Sequence, residues 1–426
     1  MSEFNKIIGY ESIKQELRQI CDMFHNKEIY EKLGAKLPQG LLLYGNPGLG
    51  KTLMTKCFIA ESGLKAYTLR RNKGTDDFIS EITNTFKLAK ENAPSIVVLD
   101  DMDKFANEDE RHRDAEEYVA VQSAIDDTRG SDVFVLATVN SLNKLPHSLL
   151  RAGRFDRRIE VNPPSSKDAC DIIKYYLKDK KVSDDVNLED VANMIHYSSC
   201  AELETFLNEA AIRAAFERRD SISMDNLVQA ILRAEYDAPD SFTTPSNDEI
   251  RKVALHEAGH LVVCEVLVPG SVGLASVRAS GRDRMGGFVR RCKELTRRPY
   301  HILASLAGKA AVELYYSETC ASGCAADIHR ASEEIRTAIS QSGTTGFGMI
   351  DVSTRQFPDN AENFLARNEA VVHAELERYM LKTRDILLKN RDFLEKATAM
   401  LLEKGTLLHS GIQALRESVA ITEVAA

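Results

Sequence analysis

Eight residues between a short apolar run and a helical run constrain the fold of this chain more than any other feature. Residues 45–52 read G-N-P-G-L-G-K-T, a full match to the P-loop pattern G-x-x-x-x-G-K-[ST]. In this context backbone N–H groups surround phosphate oxygens, Lys51 reaches the outer phosphates and the Thr52 hydroxyl holds magnesium. We therefore predict a nucleotide-binding α/β fold, with contacts from Gly45, Asn46, Pro47, Gly48, Leu49, Gly50, Lys51, Thr52 and Leu53.

The first third of the chain alternates short apolar runs with longer amphipathic ones. This alternation is typical of a parallel sheet with crossover helices. The predicted strands are Gly40–Tyr44, Ala66–Leu69, Ser95–Leu99, Asp132–Val139 and Arg158–Val161. Helices are predicted between most of them, for example Lys51–Glu61 and Phe78–Glu91.

Polar residues follow two of these predicted strands, where open α/β sheets bind their ligands. Asp100 and Asp101 follow the third strand, in the arrangement of a Walker B motif. We expect Asp100 to bind magnesium and Asp101 to activate the attacking water, with Asn140 after the fourth strand orienting that water.

Beyond Pro163 and Pro164 the strand signals stop. Lys167–Tyr236 has the pattern of a small helical domain, and Asp237–Asn247 contains two prolines and no periodicity, which predicts a domain boundary. The remainder is predicted to be mostly helical to about Glu417, with short strands within the Gly- and Arg-rich stretch Gly270–Arg291.

Residues 256–260 read H-E-A-G-H inside a predicted helix from about Asp248 to Val266, with Ser246 and Glu249 in a capping-box pattern at its start. The spacing places His256 and His260 on one helical face, where both imidazoles can bind one zinc ion, with Glu257 beside them as general base. The neighbouring positions are apolar, so a buried His-Glu-His set without a metal would cost several kcal/mol.

A catalytic zinc needs a third protein ligand and an open position. The downstream candidates are Glu313, Asp327 and His329, and local chemistry does not choose among them. Cys320 and Cys324 lie nearby, but a lone C-x-x-x-C pair favours a packing role over a metal site.

Bulk composition narrows the function. Hydrophobic residues make up 43% of the chain, which is typical of a globular protein, and a net charge of -9 argues against a nucleic-acid partner. The first ten residues have no signal-peptide pattern, no apolar run is long enough to cross a bilayer, and the eight cysteines have no disulfide-framework spacing. We therefore expect no membrane span and a reducing, cytoplasmic setting.

The chain resembles the FtsH family of AAA+ zinc metalloproteases over nearly its whole length. The matching segments occur in the order of that family. They are K-L-P-Q-G-L-L-L-Y-G, the P-loop, the Walker B strand, L-L-R-A-G-R-F-D-R, S-C-A-E-L-E-T-F-L-N-E-A-A, H-E-A-G-H, L-A-G-K-A-A-V-E-L and G-C-A-A-D-I.

The resemblance implies further roles for single residues. It makes Asn140 the sensor that positions water, and Arg151 and Arg154 the arginine fingers that reach a neighbouring subunit's nucleotide in a homohexameric ring. It places Ile8 and Gly9 beside adenine, and Cys200 and Ala201 close to the nucleotide. It also favours Asp327 as third zinc ligand, with Glu313 in a supporting place.

The family's organisation implies four regions of the chain. These are an AAA+ α/β nucleotide-binding core at 1–163, a helical lid at 164–236, a linker at 237–247 and a mostly α-helical zinc metallopeptidase domain at 248–426.

The chain departs from the family at three places. Asp101 stands where the family has glutamate, and a shift of about 1 Å in a catalytic group costs roughly 10²-fold in rate. The segment Arg70–Ser80 is shorter than the family's substrate-threading loop and offers only Phe78 as an aromatic. The family's membrane-spanning N-terminal segments have no counterpart, and a Met-initiated start leads us to expect a complete chain rather than one freed from an anchor.

Together these observations predict an ATP-dependent zinc endopeptidase that cuts polypeptide substrates, with ATP, magnesium and zinc as cofactors. The alternative is a nucleotide-switched remodelling or assembly protein, with a weak ATPase and a partner-specific or ATP-independent peptidase. Asp101 and the altered loop motivate that alternative.

Overall fold

The computed structural model describes residues 2–71, 74–106, 115–151, 153–238, 247–278, 286–316, 323–339, 344–345, 348–349 and 361–423. The chain divides into two compact units. The first comprises Met1–Asp179 with Tyr197–Thr205, and the second comprises Lys180–His196 with Phe206–Ala426. The predicted lid, 164–236, therefore contributes residues to both units.

A five-stranded parallel sheet forms the centre of the first unit, in the order β2-β3-β4-β1-β5. The strands are β1 Gly40–Tyr44, β2 Lys65–Leu69, β3 Ser95–Leu99, β4 Val133–Val139 and β5 Arg157–Glu160. Each predicted strand is confirmed to within one residue at either end. These strands are predictable as continuous apolar runs because β3 and β4 are buried along their whole length. Strands covered on both faces of a sheet need apolar side chains on both sides.

Helices lie before, between and after these strands in the chain. They are α1 Glu11–His25, α2 Lys27–Lys32, α3 Lys51–Ser62, α4 Thr75–Glu91, α5 Ala115–Asp127 and α6 Ser166–Leu177. The helix α3 begins at Lys51, as predicted, whereas α4 begins three residues before the predicted Phe78. The hydrophobic core on one face of the sheet includes Phe78 and Phe105, whose rings meet edge to face at 5.0 Å between centroids.

Three further helices follow α6 within the predicted lid. They are α7 Leu188–Met194, α8 Cys200–Phe216 and α9 Met224–Tyr236. Side chains cap two of them: the Asn187 oxygen accepts from the first turn of α7, and Ser223 forms a capping box with Asn226 at the start of α9.

The peptidase part of the second unit is mostly helical. Its helices are α10 Asn247–Leu267, α11 Arg298–Tyr316, α12 Ala325–Thr337, α13 Ala361–Lys389, α14 Arg391–Lys404 and α15 His409–Glu417. The long helix α10 matches the predicted helix, although Ser246 of its predicted cap lies outside the described residues. Buried apolar residues on several sides of α10 join one core with α11, α13 and α14.

A small antiparallel sheet stands beside these helices, in the order β10-β6-β7. Its strands are β6 Val272–Ser276, β7 Phe288–Arg291 and β10 Thr406–Leu408; a separate two-residue pair is formed by β8 Thr344–Thr345 and β9 Gly348–Met349. The strands predicted within Gly270–Arg291 are therefore confirmed. Within the described ranges, no helix combines the length and the apolar character that crossing a bilayer requires.

Candidate metal centre and nucleotide site

The P-loop joins β1 to α3, with Gly48 and Gly50 in the left-handed region at φ 80° and 88°. Only glycine adopts this conformation without strain, which explains the fixed glycine at Gly50; Gly48 stands at a variable position of the motif. The Lys51 ammonium lies inside the loop and donates to the carbonyls of Gly45 at 2.6 Å and Asn46 at 2.8 Å and to Asn140 Oδ1 at 3.0 Å. Burial lowers the pKa of Lys51.

Thr138 on β4 connects the two carboxylates that follow β3. Its hydroxyl donates to Asp100 Oδ1 at 2.9 Å and accepts from the Asp101 backbone N–H at 2.9 Å. Because β3 and β4 are neighbours, Asp100, Asp101 and Asn140 emerge at the same edge of the sheet as the P-loop.

Two cations hold the side chain of Asp101. Lys104 Nζ donates to Asp101 Oδ2 at 2.6 Å, and Arg70 Nη2 lies 3.6 Å from the same oxygen. The hydrogen bond from Lys104 holds the pKa of Asp101 below its usual range. Arg70 Nε also lies 3.8 Å from Asp100 Oδ2, so this arginine contacts both carboxylates.

The two predicted arginine fingers differ in their surroundings. Arg151 is exposed. Arg154 is buried and forms a two-pronged ion pair with Asp126 of α5, at 3.0 Å from Nε and 2.7 Å from Nη2, and also donates to the Ser148 carbonyl. To reach a neighbouring nucleotide, Arg154 would have to leave Asp126.

The residues matched to the adenine side also come together. Gly9 is in the left-handed region at φ 68°, and next to it the Tyr10 hydroxyl lies 3.6 Å from Cys200 Sγ. The Ala201 N–H donates to the Gly48 carbonyl at 3.2 Å. Ile8 and Gly9 thus lie in the segment that meets the start of α8, which in turn borders the P-loop.

Two helices bring three ligand atoms together in the second unit. His256 Nε2 and His260 Nε2, one turn apart on α10, are 3.1 Å from each other. Asp327 Oδ2, from the first turn of α12, lies 3.3 Å from His256 Nε2 and 3.4 Å from His260 Nε2. These residues form the one cluster of possible metal-binding side chains among the described residues.

The orientation of each imidazole has a local cause. His260 Nδ1 lies 2.7 Å from the Ala304 carbonyl of α11; a carbonyl only accepts, so Nδ1 carries the proton and the Nε2 lone pair faces the cluster. His256 packs against Gly308, where an added Cβ would lie 2.4 Å from its imidazole. Gly308 therefore makes room for His256 at the crossing of α10 and α11.

The side chains at the cluster differ in how their surroundings shift their pKa values. Burial lowers the pKa of His256. Burial opposes ionisation of Asp327, but hydrogen bonds with His256 and His260 outweigh it and hold the pKa of Asp327 below its usual range. Glu257 is 5% exposed, and burial raises its pKa to about 8.

The other candidate ligands lie elsewhere. The Glu313 carboxylate pairs with Lys309 and Arg384, and the His329 side chain is exposed. Cys324 Sγ lies 3.9 Å from His256 Nδ1, on the side of the ring away from the cluster, and Cys320 lies outside the described residues.

Phe78, the aromatic of the altered loop, is fully buried in the core of the first unit, and residues 72–73 of that loop lie outside the described residues.

Sequence reasoning passed over Arg70, Lys104, Gly287 and Gly308. Arg70 follows β2 at the ligand-binding edge of the sheet, so inspection of every strand end would have found it. Lys104 and Gly308 act through contacts with Asp101 and His256, and no local pattern marks them. An added Cβ at Gly287, just before β7, would lie 2.9 Å from Glu257 Oε1.

Two family models match the chain. The model of the ATPase family associated with various cellular activities (AAA) matches residues 41–163, and that of peptidase family M41 matches residues 243–415. The first match contains the P-loop and the carboxylates after β3, and the second contains His256, His260 and Asp327.

Curated relatives extend over both matches. The chain is 32% identical to ATP-dependent zinc metalloprotease FtsH of Streptobacillus moniliformis, over 99% of this chain and 65% of the relative. It is 30% identical to FtsH 3 of Symbiobacterium thermophilum, over 98% and 71%, and 31% identical to FtsH 2 of that organism, over 95% and 73%.

The chain spans less than two thirds of the Streptobacillus moniliformis relative, and 56% of ATP-dependent zinc metalloprotease FtsH of Leptotrichia buccalis. The Symbiobacterium thermophilum relatives are covered over more than two thirds of their length at 30% identity or above. The chain therefore belongs to the FtsH family of ATP-dependent zinc metalloproteases.

Proposed function

We propose that this chain is a zinc-dependent endopeptidase whose nucleotide-binding unit hydrolyses ATP to supply polypeptide to the peptidase site. The observation that carries the proposal is the triangle of His256 Nε2, His260 Nε2 and Asp327 Oδ2 beside the buried Glu257. Two imidazoles and a carboxylate are the ligand set of a catalytic zinc, which keeps a further position open.

The dimensions of the triangle support zinc. Bonds of about 2.0–2.2 Å in a tetrahedral site keep ligand atoms about 3.4 Å apart. The three observed separations are 3.1, 3.3 and 3.4 Å. The donor set and its spacing therefore fit zinc, with His256, His260 and Asp327 as the ligands that we assign.

Zinc bound there would lower the pKa of a coordinated water to about 7 and polarise the carbonyl of the peptide bond. Glu257 is our assigned general base, because it is next to a ligand on α10 and is buried at the cluster. From that position its carboxylate can accept a proton from the water, and the same group can return the proton to the leaving amine.

On the nucleotide side we propose that Lys51 and the P-loop amides hold the phosphates of ATP, and that Thr52 and Asp100 hold magnesium. Asn140, within hydrogen-bonding distance of Lys51, is the proposed sensor of the attacking water. Ile8, Gly9, Cys200 and Ala201 are proposed to border the nucleotide, because their segments meet at the P-loop side of α8.

We also propose a homohexamer in which Arg151 acts on a neighbouring nucleotide. Arg154 keeps that predicted role only if its ion pair with Asp126 opens. The four predicted regions, 1–163, 164–236, 237–247 and 248–426, remain our proposed domain scheme, with polypeptides as substrates.

Casein degradation tests the coupled function. Zinc-loaded protein with ATP and magnesium is expected to degrade casein, and the rate should fall several-fold when ATP is omitted or when Lys51→Ala removes the phosphate-binding ammonium. Glu257→Gln should lower cleavage by roughly 10²–10⁴-fold with about one zinc per chain retained. Glu249→Gln, an exposed glutamate on the same helix, is the matched control.

Two outcomes would contradict the proposal at different places. Casein cleavage that is unchanged without nucleotide would contradict the coupling. Loss of zinc in Glu257→Gln would contradict its assignment as base.

A second candidate function is a nucleotide-switched remodelling or assembly protein with a weak ATPase and a partner-specific or ATP-independent peptidase. The observation that favours it is the pairing of Asp101 with Lys104 and Arg70, which occupies the carboxylate that should activate water. The burial of Phe78 supports it further, because a core aromatic cannot grip substrate.

A further inference from the structure

The edge strand of the small sheet is attached to the last helix of the predicted lid. The ring of Tyr236, the final residue of α9, stacks on the ring of Phe288, the first residue of β7, with centroids 3.6 Å apart and planes 11° from parallel. The two rings therefore join the end of α9 to the start of β7.

Arg290, two residues further along the same face of β7, adds a polar attachment. Its Nη1 donates to Glu235 Oε2 at 2.8 Å, and its Nη2 donates to the His196 carbonyl at 2.7 Å. The Arg290 side chain is only 16% exposed. We call Glu235, Tyr236, Phe288, Arg290 and the His196 carbonyl the lid clasp.

Further contacts attach α7, the helix that precedes His196, to β6 and α15. Asp190 of α7 accepts from the Ser410 backbone N–H at 2.7 Å and from its hydroxyl at 2.6 Å, at the start of α15. On β6, an added Cβ at Gly273 would lie 2.2 Å from the Asn193 carbonyl of α7. These residues all belong to the second unit, so the contacts lie within one compact body.

The strand β7 also borders the assigned base. At Gly287, the residue before Phe288, an added Cβ would lie 2.7 Å from Glu257 Cγ. Backbone therefore packs directly on the Glu257 side chain. A displacement of about 1 Å in a catalytic group can cost 10²-fold in rate, so the position of β7 matters for catalysis.

The other end of the connection is the nucleotide site. The His196 carbonyl belongs to the lid clasp, and five residues later the Ala201 N–H donates to the P-loop carbonyl of Gly48. A change at the P-loop thus has a short covalent path to the residues that hold β7.

We propose that Phe288 and Arg290 are positioning residues of the peptidase site: through the lid clasp they hold β7 against Glu257 and make cleavage respond to residues 196–201, the segment that runs from the clasp to the Ala201 contact with the P-loop. This inference rests on the proposed function. Neither residue touches the three ligand atoms, so each acts through the strand.

The test compares Arg290→Met, which removes the guanidinium and keeps the apolar stem, with Arg297→Met. Arg297 is exposed and lies beyond the end of β7, just before α11. A short unstructured fluorogenic peptide is the substrate, because its cleavage needs no unfolding. Arg290→Met should lower kcat by about 10-fold or more with a smaller change in KM, about one zinc per chain and no further effect of ATP on the rate.

Arg297→Met should keep the wild-type kcat and its response to ATP. Tyr236→Phe, which preserves the stack, should retain activity that Tyr236→Ala loses. Glu235→Gln combined with Arg290→Met should lose no more than Arg290→Met alone, because coupled residues are not additive. Wild-type kcat and nucleotide response in Arg290→Met, or loss of its zinc, would overturn the inference.

Hydrogen exchange at residues 286–292 provides a readout that does not need activity. We expect ATP with magnesium to change exchange there in the wild type and in Arg297→Met but not in Arg290→Met. If wild-type protein with zinc cleaves no peptide, the proposed function fails, while this exchange pattern still decides the lid clasp. Equal exchange in all three proteins would refute the clasp itself.

Discussion

Asp327 and Glu313 show at the scale of single residues how surroundings decide the role of a carboxylate. Both are largely buried glutamate or aspartate side chains on helices of the peptidase core. The Asp327 oxygen faces two imidazole nitrogens, whereas the Glu313 oxygens face the cations of Lys309 and Arg384. The first arrangement suits a metal ligand and the second a structural ion pair.

We predict that Asp327→Asn loses zinc and that Glu313→Gln does not. Asparagine removes the charge of the ligand set, so zinc affinity should fall by more than the roughly 10–100-fold typical of changes beyond the ligands. Glu313→Gln should instead lower the free energy of unfolding by about 1–3 kcal/mol, because two cations lose their partner. Metal analysis after dialysis against a weak chelator, together with thermal unfolding, checks both. The reverse pattern would make Glu313 the ligand.

Asp101 presents the opposite situation, a side chain expected to act in catalysis but bound by neighbours. Lys104 Nζ and Arg70 Nη2 both contact its Oδ2, and the side chain is one methylene shorter than the glutamate of the family. We expect Asp101→Glu combined with Lys104→Met to raise ATP hydrolysis by about 10–100-fold over the wild type. Steady-state ATPase rates measure this, with exposed Lys87→Met as control. An unchanged ATPase rate would mean that the protein already compensates for the shorter side chain of Asp101.

At the scale of secondary-structure elements, Arg154 connects the segment before β5 to α5. Its ion pair with Asp126 and its bond to the Ser148 carbonyl satisfy most of a buried guanidinium. Arg151, three residues earlier, is exposed. The two arginines of one motif therefore have different local roles, one in packing and one available at the surface.

We predict that Arg154→Met lowers the melting temperature and that Arg151→Met does not. In Arg154→Met the free energy of unfolding should fall by about 1–3 kcal/mol, because the substitution removes hydrogen bonds made by a charged group. The Arg154 hydrogen bond holds the pKa of Asp126 below its usual range. The contribution is therefore present above the unfolded-chain pKa of about 4 and is lost as pH falls through the lower folded pKa.

Thermal unfolding of both variants at neutral and acidic pH measures this difference. The difference in melting temperature between the wild type and Arg154→Met should become smaller in acid. The control Arg157→Met, at an exposed position of β5, should melt like the wild type. Equal melting temperatures for the Arg154 and Arg151 variants at neutral pH would show that the ion pair does not stabilise the fold.

At the scale of the whole molecule, the region predicted as the lid, 164–236, contributes residues to both compact units. Helices α7 and α9 group with the peptidase fold, whereas Tyr197–Thr205, including the start of α8, groups with the P-loop. The region expected to be a lid on the nucleotide thus divides its contacts. Short peptides need no unfolding before they are cut. Their cleavage, compared with that of casein, therefore reports on the peptidase site of the second unit.

The elements that sequence reasoning placed well have local signals. The strands of the parallel sheet are continuous apolar runs because both faces are covered, and α10 is bounded by charge at one end and Pro269 and Gly270 after the other. The P-loop and H-E-A-G-H are contiguous motifs whose spacing contains their geometry. Phe78 had no such signal, because an isolated aromatic in a shortened loop is equally compatible with a pore and with a core.

By itself, the sequence determined the α/β nucleotide fold, the P-loop, the helix that carries His256 and His260, and, through its motifs, the family. Only the tertiary structure decided which carboxylate lies with the two imidazoles, which cations hold Asp101, what Arg154 binds and how β7 meets both Glu257 and the lid helices. The reason is physical: backbone conformation and side-chain periodicity are local, so neighbours along the chain reveal them. A contact between residues far apart in the chain depends on how whole elements pack, and no spacing in the sequence records that.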